Sequence, residues 1–62
     1  MIGDVIRNLR TVSSMTQTEL GQRMGVIKQT ISNWEKNIST PSIDAIVKLS
    51  SIFNVPTDYL LE

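Results

Sequence analysis

The 62-residue chain contains no cysteine and no histidine. Without cysteine, no disulfide can stabilise the fold and no thiolate can bind a metal ion. Without histidine, the chain lacks the commonest general base and the commonest zinc ligand. A chain of this length lies near the lower limit for folding without disulfides or bound metal ions. Its stability must therefore come from an apolar core. The hydrophobic fraction of 40% is sufficient for one, and we expect neither a metal nor a cofactor.

Long apolar segments are also absent. The N-terminus alternates charged and apolar residues and so does not resemble a signal peptide. No stretch is long enough to span a bilayer. These features predict a chain that works in the reduced cytoplasm and has no membrane partner.

Neither sign of charge is in excess, because the formal net charge is zero. This balance by itself argues against a nucleic-acid partner. The distribution is uneven, however. Residues 1–41 carry five basic and three acidic side chains, a balance of +2, whereas residues 42–62 carry one basic and three acidic ones, a balance of −2. We therefore expect any anion-binding surface in the first two thirds of the chain.

Apolar residues recur with helical spacing along the chain, and no segment alternates with the period of a strand. We therefore predict an all-α fold, with residues 1–62 forming one domain. Its five expected helices lie at 2–12, 17–24, 28–36, 41 to about 53, and 56–61.

Helix boundaries are marked by particular residues. Thr16 precedes Glu19 by three positions, the spacing of a capping box, so the second helix has the best-defined start. Gly25 is suited to a left-handed residue after that helix, and Asn37 and Asn54 are suited to the same role after the third and fourth helices.

Two short helices joined by a tight turn that contains glycine form a helix-turn-helix, and its second helix can lie in the major groove of DNA. Here the turn is 25–27. Gly21 lies inside the preceding helix, where it costs roughly 1 kcal/mol relative to alanine. Close approach of the third helix would explain this cost. Trp34 shares a helix face with Ile31, so we expect it in the core rather than between DNA bases.

The run TQTELGQRMGVIKQTISNWEKNISTPS resembles the Cro/C1-type helix-turn-helix family of phage and bacterial repressors, and the similarity extends over nearly the whole chain. The matching features are Gln17, Gly21, Gly25, Ile31, the Trp34-Glu35 pair and Pro41. The resemblance implies a compact five-helix, lambda-repressor-like domain that binds double-stranded operator DNA, usually as a homodimer. It therefore predicts a sequence-specific transcriptional regulator, of repressor type, whose third helix enters the major groove.

The resemblance also implies which residues contact bases. In the family, polar residues at the start and on the exposed face of the third helix contact base edges. The matching residues here are Lys28, Gln29, Thr30 and Asn33. Glutamine and asparagine can pair with adenine N6 and N7, and lysine can donate to guanine O6 and N7.

Contacts to the DNA backbone follow from the same resemblance. They are expected at the start of the second helix and in the loop after the third, where phosphates meet free N–H groups and polar side chains. The matching residues are Gln17, Lys36, Asn37, Ser39 and Thr40. Arg10 and Glu35 match a pair that tends to form a structural ion pair between the first and third helices.

Ile27 stands where the family usually has a capping serine or threonine. An uncapped start should cost about 0.5–2 kcal/mol. Two explanations are open. Ile27 could complete the apolar stripe of Ile31 and Trp34, or it could project beside Gln29 and pack on a thymine methyl group. We favour the second, because Val26 already supplies a buried residue in the turn.

Three other functions compete with this one. Catalysis is not expected, because the carboxylates are scattered and neither serine pair has a base to activate it. An antitoxin could use the same domain to bind DNA and a toxin protein. A protein-interaction module could have kept the fold and lost DNA binding, and Ile38, where the family often has a basic residue, keeps that possibility open.

Overall fold

Five helices form in the computed structural model, which describes residues 1–61. They are α1 (Ile2–Val12), α2 (Gln17–Met24), α3 (Lys28–Glu35), α4 (Ile43–Phe53) and α5 (Thr57–Leu61). The described residues contain no strand, so the all-α prediction is confirmed. None of these helices is both apolar enough and long enough to cross a membrane. Glu62, the last residue of the predicted domain, lies outside the described residues.

The predicted capping and terminating residues have the expected geometry. The backbone N–H of Glu19 donates to Thr16 Oγ1 at 3.0 Å, and the backbone N–H of Thr16 donates to Glu19 Oε1 at 2.8 Å. The capping box at the start of α2 is therefore confirmed. Gly25, Asn37 and Asn54 have φ values of 74°, 60° and 56°, so all three are left-handed as predicted.

Three predicted boundaries are wrong by one or two residues. α3 ends at Glu35, and Lys36 is its C-cap. α4 begins at Ile43 rather than at a first turn containing Pro41, because the Ser42 hydroxyl accepts the backbone N–H of Ala45 at 3.2 Å and so caps the helix. Pro56 likewise precedes α5 instead of forming its first residue.

The core draws side chains from all five helices. Its buried members are Ile6, Leu20, Met24, Ile31, Trp34, Ile46, Leu49 and Leu60. Trp34 is only 6% exposed, so its predicted place in the core, rather than between bases, is confirmed.

Glycine is required at two close approaches. A Cβ atom on Gly21 would lie 2.7 Å from the carbonyl oxygen of Val26, so the α2–α3 turn, and not α3 itself, is the neighbour that excludes a side chain. This corrects the expected partner while keeping the steric reason. A Cβ atom on Gly3 would overlap the carbonyl oxygen of Trp34, which brings the start of α1 against the end of α3.

Candidate nucleic-acid interface

α3 has one polar outer face and one buried inner face. Lys28 and Gln29 are exposed, and Thr30 and Asn33 are half-buried at the edge of the outer face. Ile31 and Trp34 point into the core. The four residues predicted to contact bases are therefore brought together on one solvent-facing helix.

Two amides on this face are joined to each other. Gln29 Nε2 donates to Asn33 Oδ1 at 2.9 Å, across one turn of the helix. Residues four apart on a helix are neighbours, and such amide pairs stabilise the helix modestly. The bond fixes which end of each amide is left for another partner.

Ile27, the N-cap of α3, has an extended backbone and makes no side-chain cap hydrogen bond. Its side chain is 70% exposed, so it does not join Ile31 and Trp34 in the core. The core explanation for the missing cap is therefore wrong. An exposed isoleucine two residues before Gln29 is left available for an apolar contact.

Glu35 is the only carboxylate of α3, and its side chain is 1% exposed. Arg10 Nε donates to Glu35 Oε2 at 2.6 Å, and Arg10 Nη2 donates to Oε1 at 3.1 Å. Gln17 Nε2 also donates to Oε1 at 3.1 Å, and Arg7 Nε lies 3.9 Å from the same oxygen. The structure thus brings together the two residues that the resemblance paired, and it withdraws the acidic group of α3 from the outer surface.

Gln17, which is expected to contact a phosphate, also contacts Glu35, and the sequence did not indicate that bond. Gln17 is half-buried at the start of α2, and its amide nitrogen is engaged by Glu35, which leaves one amide N–H and the amide oxygen for other partners. A shallow, open groove runs past Gln17 between α1 and the starts of α2 and α3. Lys28 lines this groove too, so one residue of the polar face of α3 also borders the groove beside Gln17.

The loop after α3 holds the other predicted phosphate contacts. Lys36, Ser39 and Thr40 are exposed there. Asn37 differs, because its Oδ1 accepts the backbone N–H of Gly3 at 3.0 Å and thereby caps the start of α1. Only its amide nitrogen remains for a phosphate. Sequence reasoning missed this contact, since a glycine in a first turn does not reveal which distant residue caps it.

These features define the class of the molecule: a five-helix domain in which α2, a tight turn and α3 form a helix-turn-helix. A family model described as helix-turn-helix matches residues 6–60. The chain therefore belongs to the helix-turn-helix family, and its resemblance to the Cro/C1-type members is confirmed.

One relative by sequence is the transcriptional regulator ImmR of Bacillus subtilis. It is 33% identical over 60 residues, which cover 97% of this chain and 47% of the relative. The chain thus spans about half the length of that protein.

Two solved structures share the fold closely. The P22 c2 repressor in complex with a synthetic operator has a TM-score of 0.91 and 32% identity, with coverage of 97% of this chain and 91% of that one. SinR, a master regulator for biofilm formation, in complex with DNA has a TM-score of 0.90 and 35% identity, with full coverage of both chains. The predicted lambda-repressor-like fold is confirmed.

Proposed function

We propose that this chain is the DNA-binding part of a transcriptional regulator, of repressor type, and that it inserts α3 into the major groove of an operator. One observation carries the proposal. The single carboxylate of α3 is buried against Arg10, so the outer face of that helix offers lysine and amide groups without a negative charge. Phosphates repel exposed carboxylates, and this arrangement removes the one that α3 carries.

On this proposal the outer face of α3 contacts bases and its two flanks contact phosphates. Gln29 and Asn33 are the principal base-contacting residues, with Lys28, Thr30 and Ile27 around them. Gln17 holds the backbone on one flank, and the loop 36–40 holds it on the other. Lys28 lines the groove beside Gln17, and we assign it a contact to either a base or a phosphate.

The relatives support this function over the two alternatives. The P22 c2 repressor and SinR were each solved with DNA, and ImmR is named a transcriptional regulator. An antitoxin would also require a toxin-binding surface, and an interaction module would not require an uncharged or basic α3.

Binding as a homodimer forms part of the proposal. A two-fold dimer places its two recognition helices one helical turn of DNA apart, roughly 34–36 Å. Exposed apolar side chains on the last two helices supply a surface for such a contact: Ile43, Val47, Tyr59 and Leu61. Sedimentation with and without the selected DNA measures whether two chains assemble on one site.

Selection from a random pool of double-stranded DNA, followed by affinity measurements at several salt concentrations, tests the proposal. Enrichment of one sequence, with affinity that falls steeply as salt increases, is the expected result. Gln17→Ala should weaken all DNA sequences alike, because a phosphate contact carries no sequence information. A pool without enrichment, or binding to a protein partner that is insensitive to salt, would contradict the proposal.

A further inference from the structure

The hydrogen bond between Gln29 and Asn33 restricts what each amide can offer to DNA. A glutamine or asparagine amide has one oxygen acceptor and two N–H donors. Gln29 donates one N–H to Asn33, which leaves its oxygen and its second N–H for DNA. Asn33 accepts this bond through Oδ1, so its oxygen faces Gln29 and its NH₂ group is the end left for DNA.

The remaining groups of the two residues differ in kind. Gln29 keeps an acceptor and a donor, the combination that pairs with adenine N6 and N7 in the major groove. Asn33 turns its NH₂ donors outward, and these suit the acceptors of guanine at O6 and N7, of adenine at N7, and of thymine at O4. Cytosine presents only its N4 donor in that groove, so the Asn33 position disfavours it.

We propose that Gln29 and Asn33 act as one specificity-determining unit, which selects adenine at one position and disfavours cytosine at a neighbouring one. This inference rests on the proposed function, since it requires α3 to lie in the major groove. The hydrogen bond between the amides makes the two choices interdependent. Loss of either side chain frees the other amide to rotate and to present its opposite end.

Interdependence gives the first test, which compares the wild-type chain, Gln29→Ala, Asn33→Ala and the double variant in the same selection. Each single substitution should relax both base positions and lower affinity for the wild-type site by about 5- to 150-fold, the loss typical of a good base contact. The double variant should bind no more than about twofold more weakly than the weaker single variant. Single variants that relax one position each, with losses that multiply in the double variant, would overturn the unit.

The second test replaces the Asn33 amide with a carboxylate. In Asn33→Asp the carboxylate can still accept the Gln29 N–H, but it offers DNA only acceptors. Cytosine, which carries the N4 donor, should therefore change from the disfavoured base to the preferred base at the position beside adenine. The measured quantity is base preference, because the added negative charge weakens binding to every sequence. An unchanged preference at that position would also overturn the unit.

Two exposed amides outside α3 serve as controls. Gln22→Ala on α2 and Asn8→Ala on α1 remove side chains of the same chemistry and should leave the selected sequence unchanged. A wild-type chain that enriches no sequence would contradict the proposed function and this unit together. An enriched sequence with independent responses at the two positions would contradict the unit alone.

Discussion

The starts of α2 and α3 have nearly the same backbone but very different chemistry. The N-cap residues Thr16 and Ile27 have φ and ψ of −79° and 164° and of −79° and 160°, respectively. Thr16 accepts a backbone N–H and belongs to a complete capping box, whereas Ile27 makes no side-chain cap. The start of α2 is thus fixed by side-chain hydrogen bonds, and the start of α3 takes the same backbone conformation without them.

The difference shows where each helix obtains its stability. α2 is held at its start by Thr16 and Glu19, and by the link from Gln17 to Glu35. α3 is held by the burial of Ile31 and Trp34 behind a short turn. Because packing stabilises most helices in proteins, α3 tolerates the loss of a cap. Residue 27 is then free to present an apolar group at the surface that we assign to DNA.

The largest effect should come from breaking the ion pair between Arg10 of α1 and Glu35 at the end of α3. Glu35→Ala leaves Arg10 without its partner in a mostly buried site, where Arg10 is 16% exposed, and should cost about 3–5 kcal/mol of unfolding free energy. Urea unfolding of the wild type and the variant measures this loss of unfolding free energy. The double variant Arg10→Met/Glu35→Leu should cost less than Glu35→Ala, because no charge remains buried. In the cycle formed by Arg10→Met, Glu35→Leu and their double variant, strictly additive losses would refute the coupling.

Removal of the cap at the better-defined start should have a smaller effect. Thr16→Ala deletes the oxygen that accepts the Glu19 N–H and should cost about 0.5–2 kcal/mol. Thr16→Ser keeps the hydroxyl and serves as the control, with a melting temperature close to that of the wild type. Equal losses in both variants would mean that the methyl group, and not the cap, stabilises α2.

The smallest effect concerns pH. The hydrogen bond from the Thr16 backbone N–H, and then the one with its side chain, lower the pKa of Glu19 below its ordinary value. A lowered pKa in the folded state contributes stability above the ordinary pKa, and this contribution is lost as the pH falls through the folded value. The melting temperatures of the wild type and of Glu19→Gln, at pH 7 and at pH 3, measure this contribution of ionised Glu19 to stability.

Glutamine can also complete a capping box, so this comparison isolates the charge. The wild-type advantage should shrink from pH 7 to pH 3. A constant difference between the two proteins over that range would show that ionisation of Glu19 does not contribute to stability.

Local patterns were sufficient to predict the helices, because periodicity, the capping box and the left-handed residues act within a few positions of each other. They could not predict contacts between distant residues. The cap that Asn37 gives to Gly3 and the link from Gln17 to Glu35 join residues 34 and 18 positions apart. For the same reason the sequence could not decide whether Ile27 is buried or exposed. Its exposure depends on how the turn packs rather than on its neighbours in sequence.

The central claim is that residue 27 contacts DNA with an apolar side chain instead of capping α3. Ile27→Ser tests this claim most directly. Serine should cap α3 and add about 0.5–2 kcal/mol of stability, and so raise the melting temperature. Ile38→Ser removes an isoleucine of similar exposure from a loop and should leave the melting temperature nearly unchanged. The account predicts a more stable Ile27→Ser protein that binds its selected operator more weakly. A lower melting temperature with unchanged operator affinity would contradict it.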